Sequence, residues 1–139
     1  MDIPSICVVA GYLTVFLPKW TVFRAAQNLP EGYNHREPRA QQAMIPIGKG
    51  ARAVAAHLNG FEAFAPFAAS VILAKIAGAT AAHGLDIACI LFVVARVFYT
   101  GAYVMGFGNV RTFWWAVGFL AILYNFGLAS FPVALETLQ

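Results

Sequence analysis

Charge is scarce in this chain. Lys, Arg, Asp and Glu together make up 11% of its 139 residues, against 60% hydrophobic residues and a mean hydropathy of +0.70. Ordinary soluble domains carry charge on about a quarter of their residues, so this balance excludes one and indicates a membrane protein. Cysteine is scarcer still. Cys7 and Cys89 each fall inside an apolar run, which excludes a disulfide framework and a Cys-x-x-Cys redox or zinc pair. The N-terminal stretch MDIPSICVVAGYLTVFLPKW lacks a basic segment ahead of its apolar run and a small-residue cleavage site behind it. It is therefore read as a retained first span. A net charge of +3 is all the basic excess there is, and it is scattered around apolar runs without a sustained stripe, which argues against a nucleic-acid partner.

Several chemical signatures are missing as well. His35, His57 and His83 fall in a loop, a helix and a turn without metal-ligand spacing, so no metal is assigned. Gly101, Gly106 and Gly108 lack the flanking strand and the Lys-hydroxyl pair of a phosphate loop. Ser70 and Cys89 have no neighbouring base in the sequence, which leaves the chain without a covalent nucleophile of its own.

What the chain does have is long apolar runs. Spans are predicted at about 3–23, 51–77, 85–105 and 112–135, each close to the roughly 20 residues that cross about 30 Å of hydrocarbon. Pro18 is expected to bend the first, because a helical proline removes one backbone bond and crowds the preceding turn. Between the first two spans, residues 25–50 hold three prolines, three glycines and a third of the charged residues, the composition of an ordered aqueous loop. Arg36, Glu37 and Arg39 within it read as a solvated charge run. The fold class is thus all-α: an integral membrane four-helix bundle forming a single domain over 1–139. Arg24, Arg36, Arg39, Lys49 and Arg52 around the first loop and Arg111 in the third face only Lys75 on the opposite side. This asymmetry predicts cytoplasmic loops and both termini on the non-cytoplasmic side, as in a bacterial inner membrane.

Polar residues inside the spans carry the functional signal, because ionisable groups in a bilayer are costly. In RAVAAHLNGFEAFAPF, Arg52, Asn59 and Glu62 share roughly one helical face at about 100° per residue, while His57 points elsewhere. On the third span Arg96, Tyr99 and Tyr103 follow i, i+3, i+7 spacing. At about 1.5 Å per residue from the loop-side ends of their helices, Glu62 and Arg96 lie at equal depth, about 15 Å in. A direct carboxylate-guanidinium pair is expected there, since either group alone would be expensive. Arg52 and Arg111 form a basic mouth above this wall, suited to an anionic, zwitterionic or peptide-like ligand. The alternative is that these groups only tie helices together.

The segments NHREPRAQQA, RAVAAHLNGFEAFAPF, ARVFYTGAY and RTFWWAVG resemble the MAPEG family, membrane-associated proteins in eicosanoid and glutathione metabolism, and its small bacterial members in particular. The pattern RAxxAHxNxxExFxPF followed by RxxYxxxY carries most of the resemblance. It implies a homotrimer of four-helix subunits binding glutathione as cosubstrate, with a lipophilic small-molecule substrate delivered by the membrane lipids. Asn59, Glu62, Arg96 and Tyr103 match the family's glutathione contacts, with Arg52 and Tyr99 on the same wall. Arg111 matches the arginine that stabilises the thiolate, and is the catalytic candidate. The chain departs from eicosanoid-making relatives at Ala55, Ala56 and Leu58, where an additional arginine is common, and at Ala63, where an aromatic is. The implied activity is a glutathione-dependent membrane transferase or peroxidase acting on lipophilic electrophiles or hydroperoxides. The alternative is a non-catalytic structural or accessory subunit of a larger membrane complex.

Overall fold

The structure is a computed structural model that describes residues 1–130. The expected end of the last span near Leu135, and Glu136 beyond it, lie outside the described residues. Six α-helices account for most of the described chain: α1 Ile3–Thr14, α2 Lys19–Gln27, α3 Pro38–Ala43, α4 Lys49–Ile76, α5 Leu85–Met105 and α6 Gly108–Ser130. A single 3-10 turn, Ala81–His83, precedes α5, and no strand occurs among the described residues. Three segments are long and apolar enough to cross a membrane: Ile3–Gln27, which contains α1 and α2, then α5 and α6. The other expected span, α4, is 28 residues long but interrupts its apolar run with Arg52, His57, Asn59 and Glu62.

The first span breaks where Pro18 predicts. Lacking an N–H, Pro18 cannot bond Thr14, and the chain tightens to i→i+3 bonds: Leu17 N–H donates to Thr14 and Lys19 N–H to Phe16. Lys19 would otherwise have bonded the Val15 carbonyl, which is left without its helical partner. His57 supplies the replacement: its Nδ1 lies 2.8 Å from that carbonyl, in the tautomer that carries the proton there. Phe16 and Phe61 flank the imidazole at ring-centroid distances of 5.8 and 5.2 Å. Gly60, one turn on, permits the approach, since a Cβ there would lie 3.1 Å from Val15 Cγ1 and 3.2 Å from its Cα.

Small residues set the helix spacing elsewhere too. Gly50, Ala53 and Ala56 let α4 lie against Val22 and Ala26 of α2, and a Cβ on Gly50 would collide with that of Ala25. Such seams let backbones approach where lipid gives no hydrophobic push between helices. Toward the other end, Phe67 and Phe92 stack at 3.7 Å in a core with Cys7, Val71, Leu85 and Ile122. Cys7 and Cys89 are both free and buried. Asp2 caps α1 by accepting from Ser5 N–H and also binds the Lys75 ammonium near the end of α4, so α1 runs antiparallel to α4. Bonding to Lys75 and Ser5 holds the Asp2 carboxyl well below the usual carboxylate range.

His57→Phe keeps the ring volume but strands the Val15 carbonyl, so it should destabilise the protein by about 1 to 3 kcal/mol, the cost of an unsatisfied buried polar group. Thermal unfolding in detergent measures this. An unchanged midpoint would show that the carbonyl finds another donor.

Candidate functional site

Three helices bring the polar residues together. α4 contributes Asn59 and Glu62, and α5 contributes Arg96, Tyr99 and Tyr103. α5 ends in a Schellman motif: Phe107 N–H donates to Ala102 and Gly106 N–H to Tyr103, with Gly106 at φ +90°. This short reversal starts α6 beside the end of α5, so that Arg111 lies over Tyr103, 4.7 Å from its ring centroid. The glycine serves a second purpose. Any Cβ at 106 would meet the Arg52 guanidinium at 3.3 Å, and Arg52 uses the space to donate from Nε to the Val104 carbonyl at 3.2 Å.

Arg96 is only 4% exposed, and its partners differ from expectation. Its Nη1 donates to Asn59 Oδ1 at 3.1 Å, and Asn59 Nδ2 in turn donates to Glu62 Oε2 at 3.0 Å. The direct Glu62–Arg96 pair is therefore a correction: no such ion pair forms, and the amide stands between the two charges. The reason lies in side-chain direction. Arg96 stacks on Tyr99, 4.1 Å from its ring centroid and one turn nearer the loop end, which aims the guanidinium at Asn59 rather than at Glu62 a turn deeper. Equal depth of Cα atoms does not imply equal depth of the charged ends of long side chains. One guanidinium nitrogen, Nη2 of Arg96, is buried without any partner.

Cavities follow this wall. One of about 270 Å³ is lined by Asn59, Glu62, Arg96, Phe92, Trp115 and Phe119, among others. A second, of about 300 Å³, shares Asn59 and Trp115 and adds Tyr99, Tyr103, Arg111 and Thr112. A third, of about 80 Å³, shares Tyr103 and Arg111 and reaches Arg52. All seven residues singled out from the sequence thus line one connected surface, while His57 is spent on the Val15 carbonyl. Trp115, Thr112 and Phe119 were not anticipated as lining. Their signal was the helical spacing from Arg111, since residues 111, 115 and 119 fall on one face.

The surface pairs three guanidinium groups with one carboxylate, and this polar half adjoins an apolar half made by Phe92, Trp115, Phe119 and Ile122. In sign, the polar half complements a molecule that carries both anionic and cationic groups. Such a polar interior between helices that can cross a bilayer marks an integral membrane protein. The family model for the MAPEG family matches residues 3–131, nearly the whole chain, and the chain belongs to that family. No curated protein and no solved structure matches it.

Because Asn59 bridges the charges, a double-mutant cycle should couple Asn59 to Arg96 by about 1.5 to 3 kcal/mol, the range of a hydrogen bond to a charged group. The cycle for Glu62 and Arg96 should give less. A Glu62–Arg96 term larger than the Asn59–Arg96 term, measured by unfolding in detergent, would restore the direct pair.

Proposed function

We propose that this protein is a glutathione-dependent membrane transferase or peroxidase working on lipophilic electrophiles or hydroperoxides. The observation that carries the reading is the unpartnered Nη2 of Arg96, buried beside Asn59 and Glu62 at the edge of an open cleft. Buried donors are normally bonded, and a bound carboxylate would complete this one. Glutathione has two carboxylates and one ammonium, matching the arginines and Glu62 in sign. Arg52, Asn59, Glu62, Arg96, Tyr99 and Tyr103 then hold the peptide, and Arg111 serves the sulfur. A thiol has a free pKa of about 8.5, and a guanidinium beside it favours the thiolate. With an electrophile, the thiol proton leaves to water at the mouth, sulfur bonds to carbon, and the leaving group departs with the electron pair. With a hydroperoxide, sulfur takes the distal oxygen as the O–O bond breaks. The alcohol leaves, and a second glutathione reduces the sulfenic acid to the disulfide and water.

The reading includes a homotrimer of four-span subunits, with α4 as the remaining span and the loops on the cytoplasmic side. Glu62 is exposed on α4, at the edge it shares with Trp115 and Phe119 of α6. A carboxylate facing lipid at that depth is costly, and a second copy covering this face removes the cost. The charge excess around residues 24–52 supports the orientation.

Calorimetric titration of the detergent-purified protein with millimolar glutathione tests the binding, and ultraviolet absorbance of the thiolate against pH tests the chemistry. Arg111→Ala should return the bound thiol toward its free pKa and lower turnover by about tenfold or more, as removal of a charge worth about 1 to 3 pKa units requires. Glu62→Ala should weaken binding instead. Absence of glutathione binding, or an unchanged titration and turnover in Arg111→Ala, would favour the accessory-subunit reading, in which the polar cluster only joins helices.

A further inference from the structure

A second polar cleft lies apart from the Arg96 wall and shares no lining residue with it. It has a volume of about 290 Å³ and sits where α3 and the start of α2 meet the first half of α4. Lys19, Arg39, Gln42 and His57 supply its polar lining, and Leu58 and Phe61 an apolar wall. Two cations thus converge on one space. No carboxylate answers them, because the one ion pair among the described residues, Asp2–Lys75, belongs to the first turn of α1 and the far end of α4. Like charges held together without a counter-charge repel, and an anion shared between them removes the repulsion.

The level of the cleft identifies the anion. Arg39 and Gln42 belong to α3, inside the polar segment that joins the first apolar stretch to α4. Trp20, next to Lys19, is 66% exposed with the Arg24 guanidinium 5.9 Å from its ring, an arrangement favoured at the boundary of hydrocarbon and water. Leu58 and Phe61, which line the cleft, are themselves exposed and give it an apolar outer wall. We infer that Lys19 and Arg39 bind the phosphate headgroup of an anionic phospholipid whose acyl chains lie along this surface. Basic pockets between membrane helices recognise such headgroups by charge. The bound lipid joins the helix break at Pro18 to α3, a segment otherwise held mainly by Gln41, which accepts from Asn34 N–H and donates to the Gly32 carbonyl.

Tryptophan quenching in equimolar vesicles of phosphatidylcholine and phosphatidylglycerol tests the site. In one preparation the acyl chains of the phosphatidylglycerol are brominated, and in the other those of the phosphatidylcholine. Bromine on phosphatidylglycerol should quench the wild-type protein more strongly. That preference should drop about fivefold in relative association for each cation removed by Lys19→Gln or Arg39→Gln. Arg39 is exposed, so Arg39→Gln puts no folding at risk, and Arg39→Lys should retain most of the preference. Excess inorganic phosphate should not relieve the quenching. Equal quenching by the two preparations, or a preference unchanged in the double variant, would overturn the proposal. Relief by inorganic phosphate would replace the lipid with a free anion.

Discussion

A guanidinium that cannot reach water organises the centre of this molecule. Arg96 sits on a helix apolar enough to cross a bilayer, and removing its charge from water costs several kcal/mol even after the surroundings relax. Each neighbour reduces that cost in a different way: the Tyr99 ring lies against its face, Asn59 accepts a hydrogen bond, and Glu62 supplies opposite charge through the amide. These requirements fix which face α4 turns to α5. They also leave one nitrogen, Nη2, buried without a partner.

A second polar debt is settled on the opposite face of α4. Pro18 deprives the first span of a normal turn and frees the Val15 carbonyl, and His57 meets it only because Gly60 has no side chain to hold the helices apart. A histidine in a membrane helix invites a catalytic or metal-binding reading. Its partner here is a backbone carbonyl created by a proline many residues away. Helix α4 therefore carries two kinds of polar residue, one set turned toward α5 and α6 and one residue toward α1, separated by nearly half a turn.

The two basic regions differ in kind. Around Arg96 and Arg111 the cations are stacked on tyrosines and accompanied by a carboxylate, a surface of mixed sign. Around Lys19 and Arg39 there is no acid and the wall is aliphatic and aromatic, which favours a simple anion with an apolar tail. Charge pattern, more than cavity size, separates them, since their volumes are nearly equal.

Membrane character, the helical fold and the polar residues of the site were all legible in the sequence, because each follows from local composition or helical period. Apolar run length set the bounds of α5, and the i, i+3, i+7 spacing placed Arg96, Tyr99 and Tyr103 on one face. Pro18 announced the break in the first span. The hydrogen-bond partners were not legible. Helix arithmetic locates a Cα, but Arg96 has a side chain long enough to shift its charge by a full turn, and only the position of the Tyr99 ring decided that it would meet Asn59 instead of Glu62. Likewise nothing near Lys19 in the chain points to Arg39; packing of α3 over the start of α2 made them neighbours. Local pattern determined which residues face inward, and the crossing of helices distant in sequence decided which of them touch, because contact depends on side-chain reach and interhelical distance, neither of which has a period to read.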